Sequence, residues 1–498
     1  MGLRFFNTLS RSVQEFVPLN ADAKTVGMYC CGPTVYDFAH IGNWRTFVFA
    51  DLVRRYLEFR GFKVKHVMNI TDVEDKIIRR VRETRTTLRD FTSQYETAFF
   101  DDLKALGCLE PHVKPRATEH IDDIITLIEK LIARGIAYKA NDGSVYFSIE
   151  KYRGCGCHYG QLQKLNFDEM RIGERVAADE YDKESVADFA LWKAYVPDDG
   201  EVTWDSPWGK GRPGWHIECS AMSMKVLGES FDLHLGGEDL KFPHHEDEIA
   251  QSEGATGKPF VKYWLHGAHL LVEGKKMSKS LGNFFTLRDL MTKGFTGREV
   301  RYLLLTAHYR ETFNFTMEGL LGAQSALRRI EECLNKMLEI LSDAQGSYKT
   351  QLDTNLLKQF ADALDDDLNV SKAWGVIFGW IRDLNRAIAQ KQLSAKDALA
   401  ALGTWKKVNE VLGIDLKPSI PTTISDETAY YQGIGADVSL SSSIKGPQIP
   451  DDVQLLSEQR LAAKKAKNYK LADELRERIK SHGYVVVDTP EGAKLKKL

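Results

Sequence analysis

Two residues that could bind a metal lie close together in GEDLKFPHHEDEIAQ, residues 237 to 251. His244 and Glu248 are four residues apart on a predicted helix, so their side chains project from one face. With a thiolate nearby they would form half of a zinc site, because zinc accepts nitrogen, sulfur and carboxylate oxygen together. The same spacing also suits an ordinary solvated pair on a helix surface. A metal site therefore requires further ligands from elsewhere in the chain.

Cys219, in WHIECSAM, is one residue that could supply the thiolate. A cysteine on a predicted helix with apolar neighbours is more commonly a small buried side chain, so its type alone does not decide between ligand and core.

A different chemistry is indicated by KKMSKSLGN, residues 275 to 283, a lysine-rich loop after a predicted strand. Lys276 and Lys279 are spaced so that both ammonium groups can lie along a triphosphate and stabilise the charge that develops on a leaving pyrophosphate. Most loops of this composition are simply solvated. The loop becomes informative only together with a nucleotide-binding fold.

The elements that would position these residues begin with a strand–helix–strand pattern. TVGMYCC (25 to 31) is a short apolar run, a helical pattern ends at Gly61, and residues 63 to 71 alternate as a second strand. This order predicts a parallel βαβ unit, with the His-Ile-Gly step at the carboxyl end of the first strand. Free amides at the start of the following helix would then face nucleotide phosphates.

The remaining pattern predicts an α/β protein with a Rossmann-like doubly wound parallel sheet. An inserted connective domain interrupts the sheet, and a helical bundle and a small basic unit follow it. The predicted divisions are 1–110 and 212–310 for the two halves of the sheet, 111–211 for the insertion, 311–412 for the bundle, 413–452 for a linker rich in Ser, Thr, Pro and Gly, and 453–498 for the terminal unit.

Composition limits the class of protein. The chain has 498 residues, 43% of them hydrophobic and 28% charged, which is typical of a globular protein of about three domains. No apolar run reaches the roughly 18 residues of a membrane span, and the first residues lack the apolar core of a secretory signal, so we expect a cytoplasmic enzyme. Seven cysteines make a disulfide scaffold improbable. The net charge of −3 means that any nucleic acid must be held by local patches.

Several stretches, in this order, indicate a family. HIGN (40 to 43) and KMSKS (276 to 280) resemble the two signature motifs of class I aminoacyl-tRNA synthetases. FNTLSR, MYCCGPTVYDF, WHIECSAM, FPHHEDE and KNYKLADELRERI resemble the cysteinyl-tRNA synthetases in particular, and the resemblance extends over nearly the whole chain.

The resemblance implies one active-site Zn²⁺ per subunit, held by Cys31, Cys219, His244 and Glu248. Since neighbouring residues on a strand point to opposite faces, Cys30 is then expected to pack in the core. Zinc binds a thiolate far better than a hydroxyl, so the site would separate cysteine from serine without a second, hydrolytic site. The insertion is therefore not expected to be an editing domain.

The resemblance also implies the reaction. The carboxylate of L-cysteine would attack the α-phosphorus of ATP, bound with Mg²⁺, and a terminal ribose hydroxyl of tRNA(Cys) would then accept the cysteinyl group. His40, Lys276 and Lys279 would assist catalysis. The implied ATP contacts are His40, Gly42, Asn43, Asp239, Lys276 and Lys279, and the implied amino-acid contacts are Thr71, Trp215 and His234. Thr71, Trp215 and His234 have an alternative interpretation, in which the tryptophan packs in the core and the two polar residues belong to turns. His245 has no predicted role.

The bundle and the basic terminal unit resemble the anticodon-binding region of the family, where cationic side chains position phosphates and exposed bases carry specificity. We expect tRNA(Cys) as the macromolecular partner, and a monomer.

Two features depart from the family pattern. Asn43 stands where the class motif has its second His. Asparagine keeps a hydrogen-bond donor at this position and also suits the start of a helix. Cys155, Cys157 and His158 form a Cys-x-Cys-His run too tight for the usual structural zinc spacing, so a surface thiol cluster is the simpler interpretation and a second metal the alternative.

Two other functions remain open from the sequence. A cysteine ligase paralogue acting on an amino-sugar substrate would share the motifs of the first 310 residues but should lack a region such as 311–498. A non-catalytic zinc or RNA-binding scaffold would not need the KMSKS loop.

Overall fold

The computed structural model describes residues 2–20, 24–164, 175–176, 188–278, 281–344, 348–414, 437–440, 451–466, 468–489 and 492–497. The chain begins with an antiparallel hairpin of the strands Arg4–Asn7 and Ser12–Glu15. Within the described residues, no helix is both long enough and apolar enough to cross a bilayer.

The central element is a four-stranded parallel sheet. Three of its strands are short, largely buried runs, as expected for parallel strands covered by helices, whereas the edge strand Lys63–Met68 begins with alternating exposed and buried residues. Leu233 pairs with Met28 and Leu235 with Cys30, which brings the two halves of the sheet into register. The strands, in spatial order, are Val261–Gly267, Phe231–Gly237, Thr25–Cys30 and Lys63–Met68.

Helices cover both faces of this sheet, which confirms the predicted doubly wound fold class. Met28 and Cys30 belong to the core formed with the helix Ile41–Phe59, whereas Tyr29 and Cys31 face the opposite core. That second core includes side chains of the helices Trp215–Leu227 and Glu246–Thr256. A single helical turn, Lys241–His245, precedes the latter helix.

The residues between the two halves of the sheet form a unit with its own five-stranded sheet. Its core continues to Phe242 and Ala250, so it packs directly against the turn and helix that carry His244 and Glu248. The sequence predicted one of these strands, around residue 145, but not the sheet, because most of its strands have only two or three residues. The helices Asp75–Thr84 and Leu88–Ala105 precede this unit, and the latter contributes to the main core. The helices of the unit are Ile121–Ala133 and Ile149–Gly154, and its strands are Ala137–Lys139, Val145–Phe147, Arg175–Val176, Asp188–Ala194 and Gly211–Pro213.

After the last central strand, a small three-stranded sheet carries the start of the lysine-rich loop, and the chain then becomes helical as predicted. The small sheet consists of Leu270–Val272, Lys275–Lys276 and Phe313–Phe315. The helices are Leu287–Thr292, Gly297–Leu304, Met317–Ser342, Thr354–Leu364, Val370–Ala389 and Ala395–Leu412.

The predicted linker contains a strand, Asp437–Leu440, which pairs with Tyr348–Gln351. Most of the rest of the linker lies outside the described residues. The terminal unit has the two predicted helices, followed by an antiparallel strand pair where the sequence predicted one strand. Its elements are Asp451–Lys465, Tyr469–Ser481, Tyr484–Thr489 and Gly492–Lys497, and they enclose a separate hydrophobic core.

Candidate active site

A cavity of about 850 Å³ opens at the carboxyl end of the central sheet. This is the edge where open α/β sheets bind ligands, because the turns after the strands diverge there. The cavity brings residues from both halves of the sheet to one space. The predicted site residues that line it are Cys31, His40, Gly42, Asn43, Trp215, Asp239 and Lys276.

A cluster of four buried donor groups lies at the inner wall of this cavity. The ligand atoms of Cys31, Cys219, His244 and Glu248 all lie within 4.8 Å of one another. Nε2 of His244 is 3.1 Å from Oε1 of Glu248, and Sγ of Cys31 is 3.7 Å from both atoms. Two sulfurs, one imidazole nitrogen and one carboxylate oxygen form a donor set suited to a borderline-soft divalent metal such as zinc. The residues therefore fit the metal that the family resemblance implies.

Local structure explains how the four side chains meet. Cys31 directly follows the strand Thr25–Cys30, and its amide donates to the carbonyl of Leu235 in the neighbouring strand. Cys30 points to the opposite face and is fully buried in the core there. His244 lies in the turn that leads into the helix of Glu248, so the pair faces Cys219 on the adjacent helix from one side.

The electrostatics of the cluster favour cation binding. Burial raises the pKa of Cys31, and the hydrogen bond that Cys31 makes to Cys219 lowers the pKa of Cys219 to about 6. Burial opposes protonation of His244, but contact with Cys219 and Glu248 outweighs it and raises the pKa of His244. The lowered pKa of Cys219 favours its thiolate form and the raised pKa of His244 favours its protonated form, and a divalent cation bound here would displace that proton.

Two aromatic side chains, His216 and Trp215, orient His244 in the cluster. Nδ1 of His216 is 2.8 Å from Nδ1 of His244, which leaves Nε2 of His244 directed toward Cys31 and Glu248. The indole of Trp215 stacks on His244 with 4.4 Å between ring centroids. Such contacts fix the orientation of ligating imidazoles. The sequence reasoning missed His216, although it directly follows Trp215 in WHIEC, because its partner is 28 residues away.

The structure also brings together an overlapping donor set that the sequence did not predict. Cys31, His234, His245 and Glu248 likewise have ligand atoms within 4.8 Å of one another. Nε2 of His245 is 3.4 Å from Sγ of Cys31, and its Nδ1 is 2.8 Å from Nε2 of His266. His266 in turn contacts Oγ1 of Thr8 at 2.8 Å. His245 therefore has a place at the cluster, connected to the amino-terminal segment.

On the nucleotide side, HIGN forms a reciprocal cap at the start of the helix Ile41–Phe59. The amide of Asn43 donates to Nδ1 of His40 at 3.2 Å, and the amide of His40 donates to Oδ1 of Asn43 at 3.1 Å. His40 is the capping residue and Asn43 the third residue of the helix, whereas the sequence reasoning placed Asn43 at the start. Because Nδ1 accepts a hydrogen bond, the proton of a neutral His40 sits on Nε2. A Cβ at Gly42 would lie 3.0 Å from the His40 ring, so this packing favours glycine.

The lysine-rich loop lies next to this cap. Lys276 is exposed and lines the cavity together with Met277 and Phe284, and the rings of Phe284 and His40 meet edge to face. The side chain of Asn283 holds the loop by accepting from the amide of Ser278 at 2.8 Å and donating to the carbonyl of Lys276 at 3.2 Å. Lys279 lies outside the described residues.

The three predicted amino-acid contacts occupy different positions. Trp215 lines the cavity beside the metal cluster. Thr71 is buried next to the turn after Cys31, where its amide donates to the carbonyl of Pro33. His234 is fully buried behind the cluster, with Nε2 2.9 Å from Oε2 of Glu248.

Cys155 and Cys157 lie away from this cavity, with their sulfurs 3.2 Å apart. Among the described residues, the groups whose ligand atoms could hold a metal are the two overlapping sets at the cavity, and neither contains Cys155, Cys157 or His158.

Comparison with known proteins places this geometry in a family. Residues 17–325 match the model of the class I (C) tRNA synthetase catalytic domain, and residues 359–417 match that of the DALR domain. Cysteine–tRNA ligase of Chlamydia muridarum is 46% identical over 100% of this chain and 100% of its own length. Cysteine–tRNA ligase of Brachyspira hyodysenteriae is 45% identical over 99% of each chain.

Solved structures support the fold independently. The Mycobacterium tuberculosis methionyl-tRNA synthetase bound by methionyl-adenylate superposes with a TM-score of 0.56 at 14% identity, covering 78% of this chain and 90% of its own. The Agrobacterium radiobacter leucyl enzyme in its ternary complex with tRNA superposes with a TM-score of 0.56 at 12% identity, covering 80% and 85%. Identity this low supports the fold alone, whereas the full-length similarity to curated relatives is specific. The chain therefore belongs to the cysteine–tRNA ligase family of the class I aminoacyl-tRNA synthetases.

Proposed function

We propose that this chain activates L-cysteine with ATP and transfers the cysteinyl group to tRNA(Cys). The observation that carries the proposal is the position of the thiol-rich cluster in the same cavity as the HIGN cap and Lys276. A substrate that places its side chain against Cys31 can present its carboxylate toward the residues around His40. One cavity thus joins recognition of the amino acid to binding of the nucleotide.

The donor set of Cys31, Cys219, His244 and Glu248 would hold the Zn²⁺ that the family resemblance implies, one per subunit. Bound there, zinc supplies a soft Lewis acid that binds a thiolate much better than a hydroxyl. The overlapping set with His234 and His245 contains one sulfur in place of two, and we propose the two-sulfur set because it consists of the four ligands that the family resemblance implies. Trp215, Thr71 and His234 would contact the bound amino acid. Trp215 would do so beside the cluster, Thr71 from next to the turn after Cys31, and His234 from behind Glu248.

Activation of the carboxylate depends on positioning and charge. His40 would donate from Nε2 to a phosphate oxygen, and the helix amides at Gly42 and Asn43 would add the positive end of the helix dipole. Lys276, and Lys279 on the same loop, would stabilise charge on the leaving pyrophosphate, with Mg²⁺ accompanying ATP. Asp239, exposed at the rim, is suited to the ribose hydroxyls or to the substrate ammonium.

We further propose that the helical region and the terminal unit bind the anticodon arm of the tRNA, with the chain divided at 1–110, 111–211, 212–310, 311–412, 413–452 and 453–498. The terminal unit has its own hydrophobic core, so it can be removed without opening the core of the catalytic sheet. We also propose that the chain acts in the cytoplasm, and that it acts as a monomer because both donor sets and the HIGN cap are complete within one chain.

The test is cysteine-dependent exchange of labelled pyrophosphate into ATP, followed by charging of tRNA(Cys). We expect both activities in the full chain, and exchange without efficient charging in a chain that ends at residue 440. Full-length chain that exchanges pyrophosphate but does not charge tRNA would instead support the amino-sugar ligase. Absence of any exchange would exclude both enzymes and leave the scaffold function.

A further inference from the structure

The pair Cys155 and Cys157 is not explained by the proposed function. All seven cysteines lie in the described residues, and Cys155 is exposed whereas the others are buried or half-buried. The sulfur of Cys155 is 3.2 Å from that of Cys157, and it also contacts the carbonyl of Tyr152. Gly156, between the two cysteines, has φ 85° and open space around it. The two thiols therefore face each other at the surface.

Such a pair is suited to thiol–disulfide exchange. A disulfide needs its sulfurs about 2.05 Å apart, so the two side chains have to approach by about 1 Å. Burial raises the pKa of Cys157 to about 11, and its hydrogen bond with Cys155 adds to this effect. The more exposed Cys155 is therefore the thiol that attacks first. Once Cys155 is in a mixed disulfide, its hydrogen bond and charge no longer hold back ionisation of Cys157.

Residues 159–162, which follow the cysteine pair, bind the two acidic residues that lie between His244 and Glu248 in the chain. The hydroxyl of Tyr159 donates to Oδ1 of Asp247 at 2.5 Å. The amides of Gly160 and Leu162 donate to the carboxylate of Glu246 at 2.6 and 2.9 Å. Glu246 and Asp247 lie between His244 and Glu248 in the chain. A movement at Cys157 is thus two residues from a contact that positions the metal cluster.

We propose that Cys155 and Cys157 form a reversible dithiol–disulfide site whose oxidation by low-molecular-weight disulfides slows cysteine activation by shifting the 159–162 segment against Glu246 and Asp247. In the first step the Cys155 thiolate attacks a disulfide RSSR, forming a Cys155–S–S–R bond and releasing RS⁻. The Cys157 thiolate then attacks the Cys155 sulfur, and the second RS⁻ leaves. The two released RS⁻ ions take up the protons that the protein thiols lost. One protein dithiol and one RSSR therefore give one protein disulfide and two RSH.

The consequence for activity rests on the proposed function, whereas the exchange chemistry does not. The oxidant belongs to the same chemical class as the disulfide of the proposed substrate. When much of the free cysteine is present as its disulfide, the enzyme would be oxidised at Cys155 and Cys157 and would activate the remaining cysteine more slowly.

The experiment treats the zinc-loaded full chain with oxidised glutathione, blocks remaining thiols with an alkylating reagent, and identifies the 155–157 peptide by mass spectrometry. We expect an internal disulfide that dithiothreitol reverses, and a decrease in cysteine-dependent pyrophosphate exchange of about tenfold, in the range for residues that hold metal ligands. The double variant Cys155→Ser, Cys157→Ser, treated identically, should keep its exchange rate.

Three results would overturn the proposal. The peptide could remain fully alkylated, it could retain a stable glutathione adduct, or it could form the disulfide while the exchange rate stays unchanged. Untreated enzyme that shows no exchange would count against the proposed function instead, and the mass measurement would still test the thiol pair.

Discussion

Nε2 of His234 lies 2.9 Å from Oε2 of Glu248, and both side chains are fully buried. The two carboxylate oxygens of Glu248 therefore have different partners. Oε2 contacts His234, whereas Oε1 lies 3.1 Å from Nε2 of His244 and 3.7 Å from Sγ of Cys31. His234 itself is held by stacking on Trp264, with ring centroids 4.4 Å apart. The imidazole thus fixes which carboxylate oxygen is offered to a metal.

His234→Ala should therefore weaken zinc binding by about 10- to 100-fold, as for other residues that orient a ligand. His234→Gln should retain part of the affinity because its amide can still donate to Oε2 of Glu248. Competition with a chromophoric chelator measures both constants. Complete loss of zinc in His234→Ala, with zinc retained in Cys219→Ser, would show that His234 is a ligand and would favour the second donor set, which lacks Cys219.

The neighbouring cysteines should respond in opposite ways. Cys31→Ser removes a donor from both candidate sets and should abolish stoichiometric zinc, whereas Cys30→Ser changes a core side chain on the other face of the sheet. Metal analysis of the two purified variants, with circular dichroism to confirm folding, gives the comparison. Zinc lost from folded Cys30→Ser and kept in Cys31→Ser would reverse the assignment.

Asn43 caps the helix through its side chain and also lies beside the proposed position of the ATP phosphates. The reciprocal cap predicts that these two roles can be separated by substitution. Asn43→Ala removes one hydrogen bond of the cap and should cost about 1 kcal/mol of stability. Asn43→Asp keeps an oxygen for the amide of His40, so the thermal midpoint should not fall, but its charge should raise the KM for ATP about tenfold by repelling the phosphates. Thermal unfolding and pyrophosphate exchange measure the two effects. An unchanged KM in Asn43→Asp would mean that ATP does not approach this cap.

Asp51 and Arg301 connect the helix after HIGN to the helical region. Arg301 is fully buried and donates to Oδ2 of Asp51 at 2.5 Å and to the carbonyl of Leu412 at 2.6 Å. Asp51→Asn leaves the buried guanidinium without its countercharge and should cost about 3 to 5 kcal/mol in chemical denaturation. The matched control is Asp362→Asn, which breaks an exposed pair with Lys358 and should cost less than about 1 kcal/mol.

The same pair contributes to stability at low pH. Burial raises the pKa of Asp51, but Arg301 and Arg55 lower it more, so its folded pKa lies below the unfolded value. Its contribution is therefore complete above the unfolded pKa of about 3.9 and is lost as the pH falls through the folded value. Asp51→Asn should flatten the acid limb of the stability profile. An acid limb identical to that of the unmodified chain would contradict this assignment.

The sequence predicted the parts of this protein that depend on local patterns. Apolar runs and helical spacing located the strand before Cys31, the helix after His40 and the helix of Cys219, and strand alternation separated Cys30 from Cys31. Motif resemblance supplied the four donor residues that the structure brings together.

Contacts between distant residues could not be predicted in this way. Thr8 meets His266, and Asp51 meets Arg301 across 250 residues, so neither pairing leaves a periodic signal. Most strands of the insertion have only two or three residues, which is too short for a periodic hydrophobic pattern to predict them. The cap shared by His40 and Asn43 is local, but recognising it required knowing that the helix begins at Ile41.

The central claim is that the cluster at Cys31 binds the sulfur of the substrate through a metal. Enzyme loaded with Co²⁺ in place of zinc provides the most direct measurement, because each thiolate bound to cobalt adds to the sulfur-to-metal absorption. Titration with L-cysteine should increase this absorption to saturation, and L-serine at the same concentrations should leave it unchanged. Cysteine that binds to the enzyme, as shown by equilibrium dialysis, without any change in absorption would contradict the account.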